Sequence, residues 1–385
     1  MAILGTGWFG ILFFWGFYTG VMPIFLRGFT GSKFLISLML SLAGVSGCIV
    51  PPIAGYFSDR THGRFGRRKP YILFGMLGMF ACMMSLPYTG ALGLIACISG
   101  ATYMFMDIAQ TPYMSLLPDI TPPSQRGTAS GVMNLLGGMG LIASFFACSQ
   151  VWDEYPKMVF SMVAAVCCFS VVFAIALLRG PDKPEENSLG ETTPIRYLRS
   201  IAKETDALKF FLAQFFWWLG FWVVQAFITL FLVEELGVGE GKSLLAPMIP
   251  SIVQTVLVLP SGALGDRVGR RGLLLSAVAF WTAAILTIGF SRSFTQALIT
   301  LGISGIPLAV VMGVGYAYML DLIPKERTAE FVGIGVVSMA APQIFGPLIG
   351  GKLIDTFGYR SIFPVASVFM FISFCALRSI RARST

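Results

Sequence analysis

Charge is scarce in this chain and histidine is nearly absent. Asp, Glu, Lys and Arg make up 12% of the 385 residues against 56% hydrophobic ones, and His62 is the single histidine. A water-soluble globule is excluded, because so few polar residues could not cover its surface. His62 has no acidic or Cys-rich neighbourhood, so no ligand or catalytic-base role is assigned to it. There is also no metal-ligand cluster, no G-x-S-x-G and no nucleotide-binding loop, so neither an enzyme nor a cofactor or metal is expected. The seven Cys fall inside apolar stretches and form neither a disulfide framework nor a metal spacing.

What is present is apolar length. Mean hydropathy is +0.78, and stretches of about 20 apolar residues, enough to cross about 30 Å of hydrocarbon, recur along the whole chain. Twelve are expected, at 4–26, 35–57, 70–88, 91–117, 128–150, 158–178, 208–232, 243–263, 272–290, 295–320, 329–351 and 360–379. The first follows Met1 almost directly, without a basic flank or small-residue cleavage site, and reads as a retained helix. Between the sixth and seventh runs the longest polar stretch, rich in Pro, Gly and balanced charge. The chain thus divides into a six-helix bundle at 1–178, a linker at 179–207 and a second bundle at 208–385.

The net charge of +8 would in a soluble protein suggest nucleic acid. Its placement points elsewhere. If the first span enters from the cytoplasm, 20 of the 27 Lys and Arg fall on inside segments. That asymmetry predicts an integral protein of the cytoplasmic membrane with both termini inside. The partners expected are the lipid bilayer and a small-molecule solute, with no nucleic acid, and the chain is read as a monomer.

An internal repeat joins the halves. The turn after the second span carries Gly55, Asp59, Arg60, Arg64, Gly66, Arg67 and Arg68; that after the eighth carries Gly262, Asp266, Arg267, Gly269, Arg270 and Arg271. Both read G-x-x-x-D-R followed by G-R-R. A second match sets "LLPDITPPSQRGTASG" against "MLDLIPKERTAEFVG", with Asp119 and Arg126 opposite Asp321 and Arg327. Two motifs at nearly one offset indicate a true repeat.

These residues resemble the major facilitator superfamily, whose hallmark is such a motif between helices two and three, echoed between eight and nine. The resemblance implies an all-α membrane protein of twelve transmembrane helices in two pseudo-symmetric six-helix bundles, a secondary transporter working by alternating access. The charged turns orient the protein, and Asp59 and Asp266 are expected to meet a helix end or basic partner when the cytoplasmic side closes. Gly55 and Gly262 are expected to let neighbouring helices approach closely. The expanded first copy, "DRTHGRFGRRKPYI", and "MDIAQTPYMSLLPDITPPSQR" in span four resemble the glycoside, pentoside and hexuronide cation symporters and the sucrose transporters.

Asp107 is the one carboxylate well inside a span, about 18 Å along the helix from Asp119. Such a group costs roughly 2.5–3.5 kcal/mol on insertion scales unless it faces a polar cavity or holds a proton. Tyr103, Gln110 and Thr111 share its helix face at i−4, i+3 and i+4. The resemblance implies a coupling or sugar-binding role for this Asp; a neutral, purely structural Asp is the other reading. Span two lacks the acidic residues with which melibiose permeases help bind sodium, so the expected coupling ion is H+.

A sugar site pairs aromatic faces with amide hydrogen-bonders. Candidates on the presumed cavity helices are Trp15, Tyr18, Asn134, Trp218, Trp222, Gln225, Gln254 and Tyr316. Drug antiporters of the superfamily carry G-P-x-x-G-G in span five, which "TASGVMNLLGGMGLIASFFACS" lacks, whereas "GPLIGG" in span eleven reads as helix packing. Proton-coupled uptake of a sugar, glycoside or similar polar solute therefore stands ahead of drug or metabolite efflux, and a non-transporting receptor or assembly factor is a third reading.

Overall fold

Inside a bilayer each backbone N–H and C=O must be bonded within its own segment, so apolar stretches of this length fold as helices. The computed structural model describes residues 1–61, 66–122, 125–178, 204–323 and 328–380. Among the described residues there is no strand, and twelve helices are long and apolar enough to cross a membrane. They are α1 (Ala2–Arg27), α2 (Lys33–Arg60), α3 (Lys69–Tyr88), α4 (Leu92–Ile120), α5 (Arg126–Val151), α6 (Pro156–Leu177), α7 (Thr205–Glu234), α8 (Glu240–Val268), α9 (Arg270–Ile288), α10 (Phe294–Leu322), α11 (Thr328–Phe357) and α12 (Tyr359–Arg378). Each coincides with one expected span. Most of the expected linker lies outside the described residues.

Local chemistry sets the ends. Ser32 and Ser293 cap α2 and α10 by accepting from Leu35 and Gln296 N–H. Pro70 and Pro156 open α3 and α6, where no backbone N–H is required. The two repeat-matched glycines before the Arg pairs, Gly66 and Gly269, have φ of +81° and +94°, a region that a side chain would strain. That explains why both copies of the turn place glycine there.

The repeat is visible in the packing. Helix α1 lies against α5 and α6, α4 against α2 and α3, and α3 against α6; the same pairings recur as α7 with α11 and α12, α10 with α8 and α9, and α9 with α12. The halves meet through α2 against α11 and α5 against α8, again a repeat-related pair. Close approach there needs missing side chains: a Cβ on Gly351 would lie 2.5 Å from the Lys33 carbonyl oxygen, and one on Gly44 2.8 Å from the Ile344 nitrogen.

The two ends of the bundle differ. The end with the α2–α3 and α8–α9 turns is the basic end; the opposite one is the sealed end. Ion pairs join the halves at the sealed end, between Arg27 or Lys33 and Glu234, and between Arg27 and Glu240. Toward the basic end the halves part, and Gly47 of α2 and Gly131 of α5 have nothing within 4 Å of a built Cβ. Val256 of α8 and Val336 of α11 are exposed.

Candidate functional site

Helix α7 is interrupted at Ala226 and Phe227, directly after Gln225. The N–H groups at the break stay bonded, Ala226 to the Trp222 carbonyl at 3.3 Å and Phe227 to the Val224 carbonyl at 3.0 Å, as a membrane-spanning segment requires. Here the break borders a crevice between the halves, lined by Tyr18, Thr19 and Leu40 on one side and by Trp222, Gln225 and Pro347 on the other. Its volume is about 10 Å³, about what one water needs. At that volume the crevice itself has no room for a sugar-sized solute.

Aromatic and amide groups continue from the crevice into the first half. Trp15 packs edge-on against Tyr18 with ring centroids 5.4 Å apart, and Tyr18 against Tyr103 at 5.0 Å. The Trp15 indole donates to Gln110 Oε1 at 2.7 Å. The Tyr18 hydroxyl donates to the Leu40 carbonyl and meets the Gln343 side chain of the opposite half. The Tyr103 hydroxyl is buried without a described partner.

Asp107 is 5% exposed and turns toward α2, where Ser46 Oγ donates to Oδ2 at 2.5 Å. Among the described residues no cation pairs with it. A lone buried carboxylate is costly as an anion, so one hydroxyl donor suits a group that holds a proton while sealed. Of the two expectations for Asp107, a polar cavity or a held proton, the geometry on the α2 side shows the Ser46 hydroxyl as its neighbour. Thr111, one turn on, lies beside Gly55, whose built Cβ would be 3.9 Å from the Thr111 methyl.

The remaining sugar-site candidates divide. Trp222 and Gln225 line the crevice, while Trp218 is buried and stacks edge-on against Phe221 at 5.5 Å. Asn134 is exposed, with its amide 3.4 Å from Ser130 Oγ, one turn from Gly138, which packs on Thr255 of α8. Gln254 is half-buried beside that Thr255. Tyr316 is 59% exposed on α10 and outside the crevice, because the rotation of α10 buries Tyr318 instead. Ser46 and Gln343 were not among the candidates. Gln343 carried the same signal as Gln225, an amide within a span; Ser46 carried none, since serine commonly bonds its own helix.

At the basic end Arg68 pairs with both Asp59, at 3.3 Å, and Asp119, which also accepts from Arg67 at 2.8 Å. Arg60 lies over the Tyr56 ring, 3.6 Å from its centroid. In the second copy Arg270 bridges Asp266 and Asp321, each at 2.8 Å, Arg271 donates to the Arg378 carbonyl, and Arg267 is exposed. Asp59 and Asp266 thus hold arginines of their own halves while this end is parted. Arg64 and His62 lie outside the described residues. The close approach expected at Gly55 is not found, a Cβ there meeting only the Thr111 methyl at 3.9 Å; at Gly262 the helices do come close, since a Cβ on Gly313 of α10 would lie 3.2 Å from the Gly262 nitrogen and 2.5 Å from Ser261 Oγ. The "GPLIGG" stretch does serve packing, since a Cβ on Gly346 would sit 2.6 Å from Trp222 Cβ.

Comparison with known proteins agrees with this architecture. The profile described as Major Facilitator Superfamily matches residues 4–256 and 210–384. The multidrug resistance protein MdtG of Proteus mirabilis is 29% identical over 160 residues, 40% of this chain and 39% of that protein. The sucrose transport protein SUC3 of Arabidopsis thaliana is 24% identical over 191 residues, 44% of this chain and 32% of its own length. These matches therefore span about a third of the relatives' length. The nucleoside transporter NupG superposes with a TM-score of 0.82 at 12% identity, covering 98% of both chains.

Proposed function

Because the chain belongs to the major facilitator superfamily, whose members are transporters and not enzymes, we propose that it is a secondary carrier that couples protons to uptake of a sugar, glycoside or similar uncharged polar solute. It is an integral membrane protein, and its substrate is a small molecule. The Lys and Arg asymmetry supports a cytoplasmic basic end with both termini inside, so the conformation described faces the cytoplasm. The solute would sit between the halves, against Tyr18 and Trp222 with Gln225 and Gln343 as hydrogen-bonders, and Trp15, Tyr103, Gln110, Thr111, Asn134 and Gln254 along its path. Charged side chains are absent from the described crevice lining, which favours a neutral solute.

The observation that carries the coupling reading is Asp107, sealed with Ser46 as its sole described donor and one helical turn from Tyr103. In this reading it takes up a proton where water reaches it and keeps it while the helices close over it. Proteoliposomes with an imposed pH gradient test this: the native carrier should accumulate labelled sugar. Asp107→Asn should still bind and equilibrate the sugar but lose accumulation. An Asn variant that still concentrates solute would overturn the assignment. Efflux is the second reading, favoured by the MdtG match; proton flux stimulated by drugs but not by sugars would select it.

A further inference from the structure

The sealed end carries a second repeat-related contact that neither the crevice nor the charged turns explain. Asp355, near the end of α11, accepts from the Lys33 N–H at 2.8 Å, the Phe34 N–H at 3.0 Å and the Ser32 hydroxyl at 2.8 Å, all at the start of α2 in the opposite half. Asp153, just past the end of α5, accepts from the Gly241 N–H at 2.8 Å, in the single helical turn Glu240–Ser243 that precedes the continuous part of α8, Met248–Val268, in its opposite half. The two are the same device. Asp153 and Asp355 stand at the sequence separation of Asp119 and Asp321, and Phe34 and Gly241 at that of Gly55 and Gly262. Each half therefore lends one carboxylate from its fifth helix to the opening turn of the other half's second helix.

We propose that Asp355 and Asp153 are paired latches whose bonds to the opening turns of α2 and α8 hold the sealed end shut and set how often the carrier opens there. The first N–H groups of a helix have no partner in their own helix, and along the 28-residue α2 they also carry the positive end of its dipole. A carboxylate satisfies them while the halves touch, and water can replace it when they part. Ser32 remains as the cap of α2, through its bond from Leu35 N–H, so releasing Asp355 does not unravel the helix. The Arg27 pairs with Glu234 and Glu240 are partly exposed, as Asp355 and Asp153 are, whereas Lys33 is buried where it meets Glu234, so these pairs close the sealed end together with the latches. With three donors against one, Asp355 is the stronger latch.

The inference rests on the alternating-access reading but on neither the solute nor Asp107. Hydrogen–deuterium exchange of the full chain in lipid nanodiscs tests it. Asp355→Ala should speed exchange at the start of α2 and also at the start of α8, held by the other latch, by about tenfold, the scale of one lost helix cap. Exchange at the α2–α3 and α8–α9 turns should slow in return. Asp355→Asn, which keeps one acceptor oxygen, should fall between, and Asp153→Ala should do less than Asp355→Ala. Faster exchange confined to the start of α2, or none at all, would overturn the latch and leave alternating access standing. Faster exchange at both latches without slowing at the basic end would overturn the rocking motion itself.

Discussion

The sealed and basic ends use the same residue types to opposite effect. At the sealed end, carboxylates and bases bond across the halves: Asp355 to the start of α2, Asp153 to Gly241, and Lys33 to Glu234. At the basic end the described ion pairs stay inside one half: Arg67 and Arg68 with Asp119, and Arg270 with Asp266 and Asp321. On the alternating-access reading, a charge pair that crosses the boundary is made and broken as the carrier turns over, whereas one within a half travels with it as a rigid part. Location, more than chemistry, decides whether a salt bridge stabilises a fold or a conformation.

The strongest way to break this contrast is steric. Gly351→Leu would place a Cβ 2.5 Å from the Lys33 carbonyl oxygen and 2.7 Å from Ser37 Oγ, both belonging to the opposite half. Neither backbone nor a buried serine yields easily, so overpacking of about 1–3 kcal/mol falls on the sealed state alone. The variant should expose the sealed end to a membrane-impermeant thiol or amine reagent and reduce solute flux at least tenfold. Reagent access unchanged from the native protein would count against the interface described.

A smaller effect is expected within a half. Asp119 is held by Arg67 and Arg68, and the Arg68 and Asp119 side chains are 8% and 11% exposed. Asp119→Ala leaves a nearly buried guanidinium with only the exposed Asp59, which costs about 3 kcal/mol by analogy with broken buried pairs. Thermal unfolding should move down accordingly. Reagent access at the sealed end should not change, because none of these bonds crosses the boundary; a rise there would blur the contrast.

Much of this was legible in the sequence, and the failures have physical causes. Span number and position followed from hydropathy, but α8 and α11 run to Val268 and Phe357 rather than 263 and 351. Helices continue into the interface for as long as their backbone bonds hold, and hydropathy stops at Asp266 or Lys352. The break in α7 had no Pro or Gly to announce it. Trp15, Tyr18, Tyr103 and Gln110 were brought together as their spacing required, yet the spacing could not give rotation about a helix axis, which leaves Tyr316 exposed and away from the crevice lining. Asp153 and Asp355 passed unnoticed because carboxylates at span ends read as ordinary surface charge until the opposite half supplies their partners.

The finest test compares the repeat with itself. Asp321 matches Asp119, but its side chain is 49% exposed and that of its partner Arg270 33% exposed. Water solvates both, so Asp321→Ala should cost only about 0–1 kcal/mol, a fraction of the Asp119→Ala effect, although the motif residues are the same. Added salt sharpens the difference: raising ionic strength screens exposed pairs first, so it should narrow the gap between the native protein and Asp321→Ala and leave that for Asp119→Ala nearly intact. Equal losses from the two substitutions would mean that the two basic turns are equally buried in the membrane-embedded protein. The first half would then lose its place as the more tightly locked copy.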